Sequence, residues 1–360
     1  MKKNIMLMCG PTAIPERELA AMNRQIIYHR SEEFEKVSQE LTENLKKIFK
    51  TQNDVMVLTG SGTSAMEASI TNCFSKGDKV VVVVLGVFSG RMAEMCENFG
   101  LEVTRVEKPY GEVADPEEVL PYVTEDTKGV FVVHNESSTG VTTDIAAFGE
   151  ALKNTNSLLV VDTVSGIGAI DFRMDEWNVD VAFASSQKAL MGTPGTAVIC
   201  LSEKAWKATE KSNLPCYYLD LTKARDFGQK GQQPWTPAIY SFIGLNESVK
   251  MMLEEGIDNI IAHTTKLSEM VVAGMKELGI ELFPKNPIWA SKSVNTFAYD
   301  KAPEFVKRLK EEFGISIYDG QASLYQTTFR VGTMGYVSDT DVAAFLYAAR
   351  IVKAEIDAEK

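Results

Sequence analysis

The stretch "DVMVLTGSGTSAMEASITNCF" occupies residues 54–74. It opens on an apolar run of strand length and passes through a Gly/Ser turn. Apolar residues then recur at helical spacing behind an opening of small residues. A strand that feeds a helix through such a turn is the building unit of a parallel sheet, and ligands of such sheets bind beyond the C-terminal strand ends. The small residues let backbone N–H groups approach an anion, and the helix points its positive end at the same place. Gly60, Gly62 and Ala65 also fit the dinucleotide pattern G-x-G-x-x-A, which needs an acidic residue roughly 20 positions further on. Here the next strand is solid valine and ends Leu85-Gly86-Val87-Phe88, which weakens that reading. A Walker A loop is excluded, since no G-K-[ST] follows. On the turn alone, a phosphate cradle and a ligand-free turn stand level.

Outward from this unit the pattern recurs. Helical spacing covers residues 33–49, a strand 79–85, a helix 90–99 and a strand about 102–106. A strand at 129–134, a helix at 145–154 and a strand at 158–162 follow, and the apolar run "VDVAFA" spans 179–184. Strands apolar along their whole length predict a sheet covered on both faces. After Pro237 a long helical pattern runs to about Lys276. The tail then reads strand, strand, helix (304–313), strand ("ISIYDG"), strand ("TTFRVG") and a terminal helix (339–356). The expected architecture is α/β. A large domain, residues 16–260, holds a mostly parallel sheet covered by helices, and a smaller C-terminal α+β domain spans 261–360.

Hydrophobic residues make up 45% and charged residues 24% of the 360, as in ordinary globular chains. The net charge of −12 comes with no Lys/Arg cluster on a predicted face, so no nucleic-acid partner is expected. Five cysteines, Cys9, Cys73, Cys96, Cys200 and Cys216, are scattered without CxxC spacing. Neither a disulfide framework nor a metal site is expected, and the thiols suit a reducing compartment. The apolar run Ile5 to Met8 is too short for a signal peptide, and residues 80–85 are far too short for a membrane span. A cytoplasmic protein without membrane contact is the expectation.

The residues with chemical potential gather at predicted strand ends. Asp162 ends the strand at 158–162. Lys188 lies in "ASSQKALMGTPG", residues 184–195, and Arg330 in "TTFRVG", residues 327–332. Each alone reads blandly: a helix cap, a surface lysine, a strand arginine in an ion pair. As a set they are more specific. A phosphate cradle, a carboxylate and a lysine are the parts that hold pyridoxal 5′-phosphate. The phosphate would go to Gly62 and Thr63, and Lys188 would form a Schiff base with the aldehyde. Asp162 would keep the pyridine nitrogen protonated, and Phe88 would stack on the ring.

Eight motifs then appear in order: "CGPTAIPERELAAM", "HRSEEFEKV", "LTGSGTSAMEA", "NESSTGV", "VVDTVSGIGA", "SSQKALMGTPG", "GQQPWTPAI" and "FRVGTMG". Over nearly its whole length the chain resembles the class V (fold type I) pyridoxal-phosphate-dependent aminotransferases, in the alanine–glyoxylate/serine–pyruvate branch. The resemblance implies Lys188 as the Schiff-base lysine and Asp162 as the partner of the ring nitrogen. Val164 would pack under the ring, Ser137 would hydrogen-bond near it and Phe88 would stack. Ser61, Gly62, Thr63 and Gln187 would bind the phosphate. Gln233 and Thr236 would reach the phosphate of a neighbouring subunit, which implies a homodimer with shared sites. Arg330 would clamp the substrate carboxylate, and residues 1–15 would line the site through Thr12 and Ala13. Two departures stand out: Gln233 where relatives often have Thr, and Cys9 where Pro is common. The implied activity moves an amino group from alanine or serine to glyoxylate or pyruvate in two half-reactions. The nearest rivals are aminoethylphosphonate and phosphoserine aminotransferases on the same fold. A cysteine desulfurase would carry His where Gln187 stands. A nucleotide-dependent oxidoreductase lacks its acid after the valine strand, and a non-catalytic regulator has no use for an intact Lys188, Asp162 and Arg330.

Overall fold

The structure is a computed structural model and describes residues 4–359. Its central sheet has seven strands: β1 (Asp54–Thr59), β2 (Lys79–Val84), β3 (Glu102–Glu107), β4 (Thr127–Val133), β5 (Leu158–Asp162), β6 (Val181–Ser185) and β7 (Thr196–Leu201). Their order is β1-β7-β6-β5-β4-β2-β3. The neighbours from β6 to β3 are parallel, while β7 runs antiparallel to both β6 and β1. The expected mostly parallel sheet is therefore present, with one reversed strand that the sequence reading passed over. That reversal matters for the site. Because β7 pairs with β6 through Ala197 and Ser185, the intervening residues 186–195 form a short return at the C-terminal end of β6, and Lys188 lies in it.

The valines of β2 show why the strands do not alternate. Val81 and Val83 join the apolar cluster on one face, and Val80, Val82 and Val84 join the cluster on the other. Helices α1 (Glu16–Met22), α2 (Glu32–Phe49), α3 (Gly62–Cys73), α4 (Val87–Asn98) and α5 (Ile145–Leu152) belong to this domain. Ser31 caps α2, accepting from Phe34 N at 3.3 Å, with three glutamates in the first turn and Lys46 and Lys47 in the last. α4 starts at Val87, three residues before the pattern suggested. The cause is long-range: the buried carboxylate of Glu136 accepts from Phe88 N at 3.3 Å and Ser89 N at 2.9 Å, which no local sequence reading can see.

The long helical pattern after Pro237 is two helices, α6 (Ile239–Glu255) and α7 (Ile257–Glu277). They break at Gly256, whose φ of +90° suits glycine. The expected boundary near residue 260 falls in the first turn of α7. Beyond it, β8 (Glu281–Leu282), β9 (Val294–Ala298), β10 (Tyr318–Asp319) and β11 (Thr328–Gly332) form an antiparallel sheet of order β8-β9-β11-β10. α8 (Asp339–Ala358) and α7 share its apolar cluster. The expected helix at 304–313 is an α-helix, Ala302–Arg308, followed by a π turn, Leu309–Phe313.

The N-terminal segment ties the two parts together. Ile5 and Met6 pair in parallel with Ile315 and Ser316, and Gly332 N donates to Leu7 O at 2.9 Å. The chain then leaves the small sheet and crosses to the Lys188 return, where Cys9 packs with Ala189, Val294 and Met334.

Candidate active site

The C-terminal ends of β1, β4, β5 and β6 and the N-terminal ends of α3 and α4 surround one cavity. Ser61, Gly62, Thr63, Met66, Phe88, Arg91, Asn135, Ser137, Asp162, Val164, Ser165, Ser185, Gln187 and Lys188 line it. The sequence had named nine of these: Ser61, Gly62, Thr63, Phe88, Ser137, Asp162, Val164, Gln187 and Lys188.

The floor is Asp162. It is buried, and its Oδ1 accepts from Val164 N at 2.8 Å. Burial pushes the carboxyl up to about 7 against the pull of that N–H, while Glu136 adds repulsion and Lys188 attraction. On one wall, Ser137 Oγ donates to Ser165 Oγ at 2.5 Å, and Ser165 Oγ donates on to Asn135 O at 2.9 Å. Phe88 comes from the first turn of α4, and the Arg91 guanidinium lies 5.1 Å from its ring centre. At the far wall α3 begins. Ser61 is its N-cap residue and makes no side-chain capping bond, so the first amides of the helix are left for a ligand. Two buried polar atoms beside them, Ser185 Oγ and Gln187 Oε1, have no hydrogen-bond partner among the described residues.

Lys188 enters from the return between β6 and β7. Its Nζ donates to Cys9 O at 2.6 Å. Burial pulls its pKa below the usual lysine range, with Arg330 and Arg91 adding to the effect and Cys9 and Asp162 opposing it. The N-terminal segment clasps the lysine backbone as well. Thr12 N donates to Gln187 O at 3.0 Å, and Thr12 Oγ1 donates to Lys188 O at 2.9 Å. Gly10, with φ +103°, lets the lysine stem pass: a Cβ there would lie 2.2 Å from Lys188 Cδ. Ala13 follows on the same segment and is half-buried. The Cys9 thiol is buried, which pushes its pKa up.

The match that decides the family covers residues 15–345, which fit the model for aminotransferase class V. The chain belongs to that family. A relative named "Soluble hydrogenase, small subunit", from Synechococcus sp. (strain PCC 6716), is 36% identical over 98% of this chain and 94% of its own. The serine–glyoxylate aminotransferase of Methylorubrum extorquens is 32% identical over 97% of this chain and 90% of its own. Among solved structures, an aspartate aminotransferase of subgroup IV from Thermus thermophilus superposes with a TM-score of 0.91. It is 30% identical, and the match covers 98% of this chain and 100% of that one. The fold is therefore the fold type I aminotransferase architecture, and the protein is a transaminase.

In this class V aminotransferase, five expected site residues sit apart from the cavity wall: Thr12 and Ala13 of the N-terminal segment, and Arg330, Gln233 and Thr236. Arg330 stands behind Ser137 and is only 4% exposed. Its Nε donates to Asp319 O at 3.0 Å, and its Nη1 donates to Ser137 O at 3.2 Å and Gln321 Oε1 at 3.1 Å. Gln233 and Thr236 line a different cleft, with Tyr218, Trp235 and Thr59, so the chain does not bring them to its own Lys188. In the other direction, the sequence reading missed Arg91, Met66, Ser165 and Ser185 as wall residues. Arg91 follows Phe88 by three positions, so the helical period puts both on one face. Ser185 is the last residue of β6. Both could have been found once Phe88 and the strand end were fixed.

Proposed function

We propose that this protein is a pyridoxal-phosphate-dependent aminotransferase that moves the amino group of a small amino acid, alanine or serine, to a 2-oxo acid, glyoxylate or pyruvate. One observation carries the reading: a lysine amine, a strand-end carboxylate and the open N-terminus of a helix share one cavity. The residues present fit the cofactor. A phosphate at α3 would meet the free amides of Gly62 and Thr63 and the hydroxyl of Ser185. The Gln187 amide, turned by a half-rotation, would offer its NH₂. Both side chains are otherwise orphaned. Bound there, pyridoxal phosphate supplies an aldehyde that carries the substrate's amino group and a ring that accepts negative charge.

The chain's own residues do the rest. Asp162 holds the proton on the ring nitrogen. Phe88 and Val164 would pack against the bound ring, and Ser137 would hydrogen-bond near it. Lys188 Nζ takes the substrate's α-proton and returns it; its lowered pKa gives more free amine near neutrality, as a base requires. Arg330 reads the α-carboxylate, exchanging its Gln321 contact for the substrate. Thr12 and Ala13 close the site from the N-terminal segment. Glyoxylate is the acceptor named for the Methylorubrum relative, together with serine as donor.

Arg91 favours a second reading. Its guanidinium is on the cavity wall itself, and a donor with two carboxylates, such as aspartate, would use it in addition to Arg330. A panel of alanine, serine, aspartate and 2-aminoethylphosphonate against glyoxylate and pyruvate decides. The expected result is fastest turnover with alanine or serine and glyoxylate. Preference for aspartate transfers the reading to Arg91, and preference for the phosphonate overturns the carboxylate role of Arg330.

The reading extends to assembly. Gln233 and Thr236 lie off their own cavity, while Ile26, Tyr28, Tyr217 and Tyr218 are exposed apolar side chains of the kind that pack between subunits. The proposal is a homodimer in which each copy lends this segment to the other's phosphate. Sedimentation of an active monomer would overturn it. Among the described residues no helix is long and apolar enough to cross a membrane. The cytoplasm is the proposed location, and fractionation of the cell tests it.

A further inference from the structure

α1 packs on α6 and carries one carboxyl into the interior. Glu18 is fully buried. Its Oε1 accepts from Thr193 N at 3.0 Å, and its Oε2 has no partner among the described residues. α6 makes room for it: a Cβ on Gly244 would lie 2.6 Å from Glu18 Oε1 and 2.8 Å from Met22 Sδ. Thr193 belongs to the return that bears Lys188. That return is folded tightly, with Met191 N donating to Lys188 O at 3.0 Å and Gly192 N to Ser186 O at 2.8 Å. Thr12 fixes its first residues and Glu18 its far end, so one N-terminal stretch grips the return at both sides.

Among the described residues no charged neighbour pairs with this carboxyl. Arg17 on α1 binds Glu247 and Glu254 of α6, and Glu16 accepts from Tyr336. On α6, Tyr240 donates to Arg24 O, Lys250 pairs with Glu40, and Glu255 sits exposed at the helix end. On the return itself Lys188 is committed to Cys9 O. Answering the Thr193 N–H takes only one acceptor, so a whole buried carboxyl with its second oxygen unpartnered points to a use.

We infer that Glu18 is a positioning residue for Lys188: its carboxylate ties the Lys188 return to α1, and a proton on that carboxyl loosens the tie. The ionised form accepts a charge-assisted bond from Thr193 N–H, and the neutral form a weaker one. Burial brings this change to about 7, where the tie responds to ordinary shifts of pH. The inference rests on Lys188 as the reacting amine, but its test does not need turnover.

The test is hydrogen exchange of the peptide 189–195 in the holoenzyme at about pH 6 and about pH 8, corrected for intrinsic exchange. In a local opening that breaks the Thr193 bond and leaves Glu18 buried on α1, wild type should be roughly fivefold better protected at the higher pH, opposite in sign to the effect of Glu18 on global unfolding. Glu18→Gln keeps the acceptor and the volume and should show equal protection at both. Its kcat profile should also lose a step near 7 that wild type shows. Glu18→Ala should lose most of the protection; should it not fold, Glu18→Gln alone decides. The same pH dependence in Glu18→Gln as in wild type overturns the inference. If Lys188 instead carried no pyridoxyl group, the exchange result would stand and only the functional reading would fall.

Discussion

Lys188 is held by the N-terminal segment at its amine, its stem and its carbonyl. Its amine meets Cys9 O, its carbonyl meets Thr12 Oγ1, and its stem passes over Gly10. A lysine so placed has few conformations to lose when it joins a ligand, and its buried amine is more nucleophilic than a solvated one. In the proposed role of Lys188, Lys188→Ala would remove both the covalent link and the proton carrier. Transamination should fall by roughly 10³ or more, and borohydride should fix no pyridoxyl mass on any peptide; a pyridoxyl mass on another lysine would place the reacting amine elsewhere. Asp162→Asn keeps size and hydrogen bonding but cannot hold a ring proton by charge. It should cost far more rate than cofactor affinity, measured as kcat against the dissociation constant; near-normal turnover would reduce Asp162 to a turn residue bonded to Val164. Arg330→Lys keeps the charge and loses the fork. A loss of about 1.5–3 kcal/mol, read mainly as a raised KM, is expected for donor and acceptor alike. The protein contacts of Arg330 to Ser137 and Gln321 give a second reason for non-equivalence, since one ammonium cannot replace both.

α4 shows how an element sets a site residue. Its N-terminus is built on Glu136, which also accepts from Ser89 Oγ at 2.8 Å and Ser138 Oγ at 2.5 Å. Glu136→Ala would strand buried donors and uncap the helix that carries Phe88 and Arg91. A loss of about 3 kcal/mol in stability, with weaker cofactor binding, is expected from denaturant midpoints and titration; an unchanged midpoint would show that α4 is held by packing alone. Elements of this kind mark where sequence reading stops. β2 and β5 were legible because a strand covered on both faces is apolar throughout. The start of α4 was not, because its cap comes from residue 136, far along the chain. β7 was missed because its reversal is a matter of pairing, which composition does not encode. The break at Gly256 was hidden by apolar spacing that runs through it unchanged. Asp162 and Lys188 were legible because strand ends collect ligands, whereas the commitment of Arg330 to Ser137 depends on how two sheets meet.

At the scale of the whole molecule, the buried titratable groups give the apoprotein a distinctive pH response. Asp162 rises from 3.8 to about 7 and Glu18 from 4.5 to about 7, both through burial. Their folded-state values lie above the unfolded ones, so the folded state binds more protons in between. Their contribution to stability is fully present below about pH 4 and is lost as pH rises through 7. His134, buried against Phe172 and hydrogen-bonded with Thr163 at 3.0 Å, falls from 6.5 to about 4 and acts the other way. Its contribution is present above 6.5 and lost as pH falls through 4. Between about pH 5 and 6.5, two carboxyls oppose one imidazole, and the net effect of these three groups is a loss of about 1.4 kcal/mol per pH unit as pH rises. Asp319, also raised by burial, adds to the same side. Carboxylates lowered by exposed ion pairs, such as Glu97 and Glu118, titrate below this window and leave it unaffected. Apoprotein Tm should therefore fall from about pH 5 to 7, against the usual rise away from acid. Glu18→Gln and Asp162→Asn should each flatten the slope by one proton. The two variants differ once the cofactor is bound: a protonated ring nitrogen beside Asp162 favours its charged form and erases its share, while that of Glu18 remains. A holoenzyme whose slope still responds to Asp162→Asn would mean that Asp162 does not face the ring nitrogen.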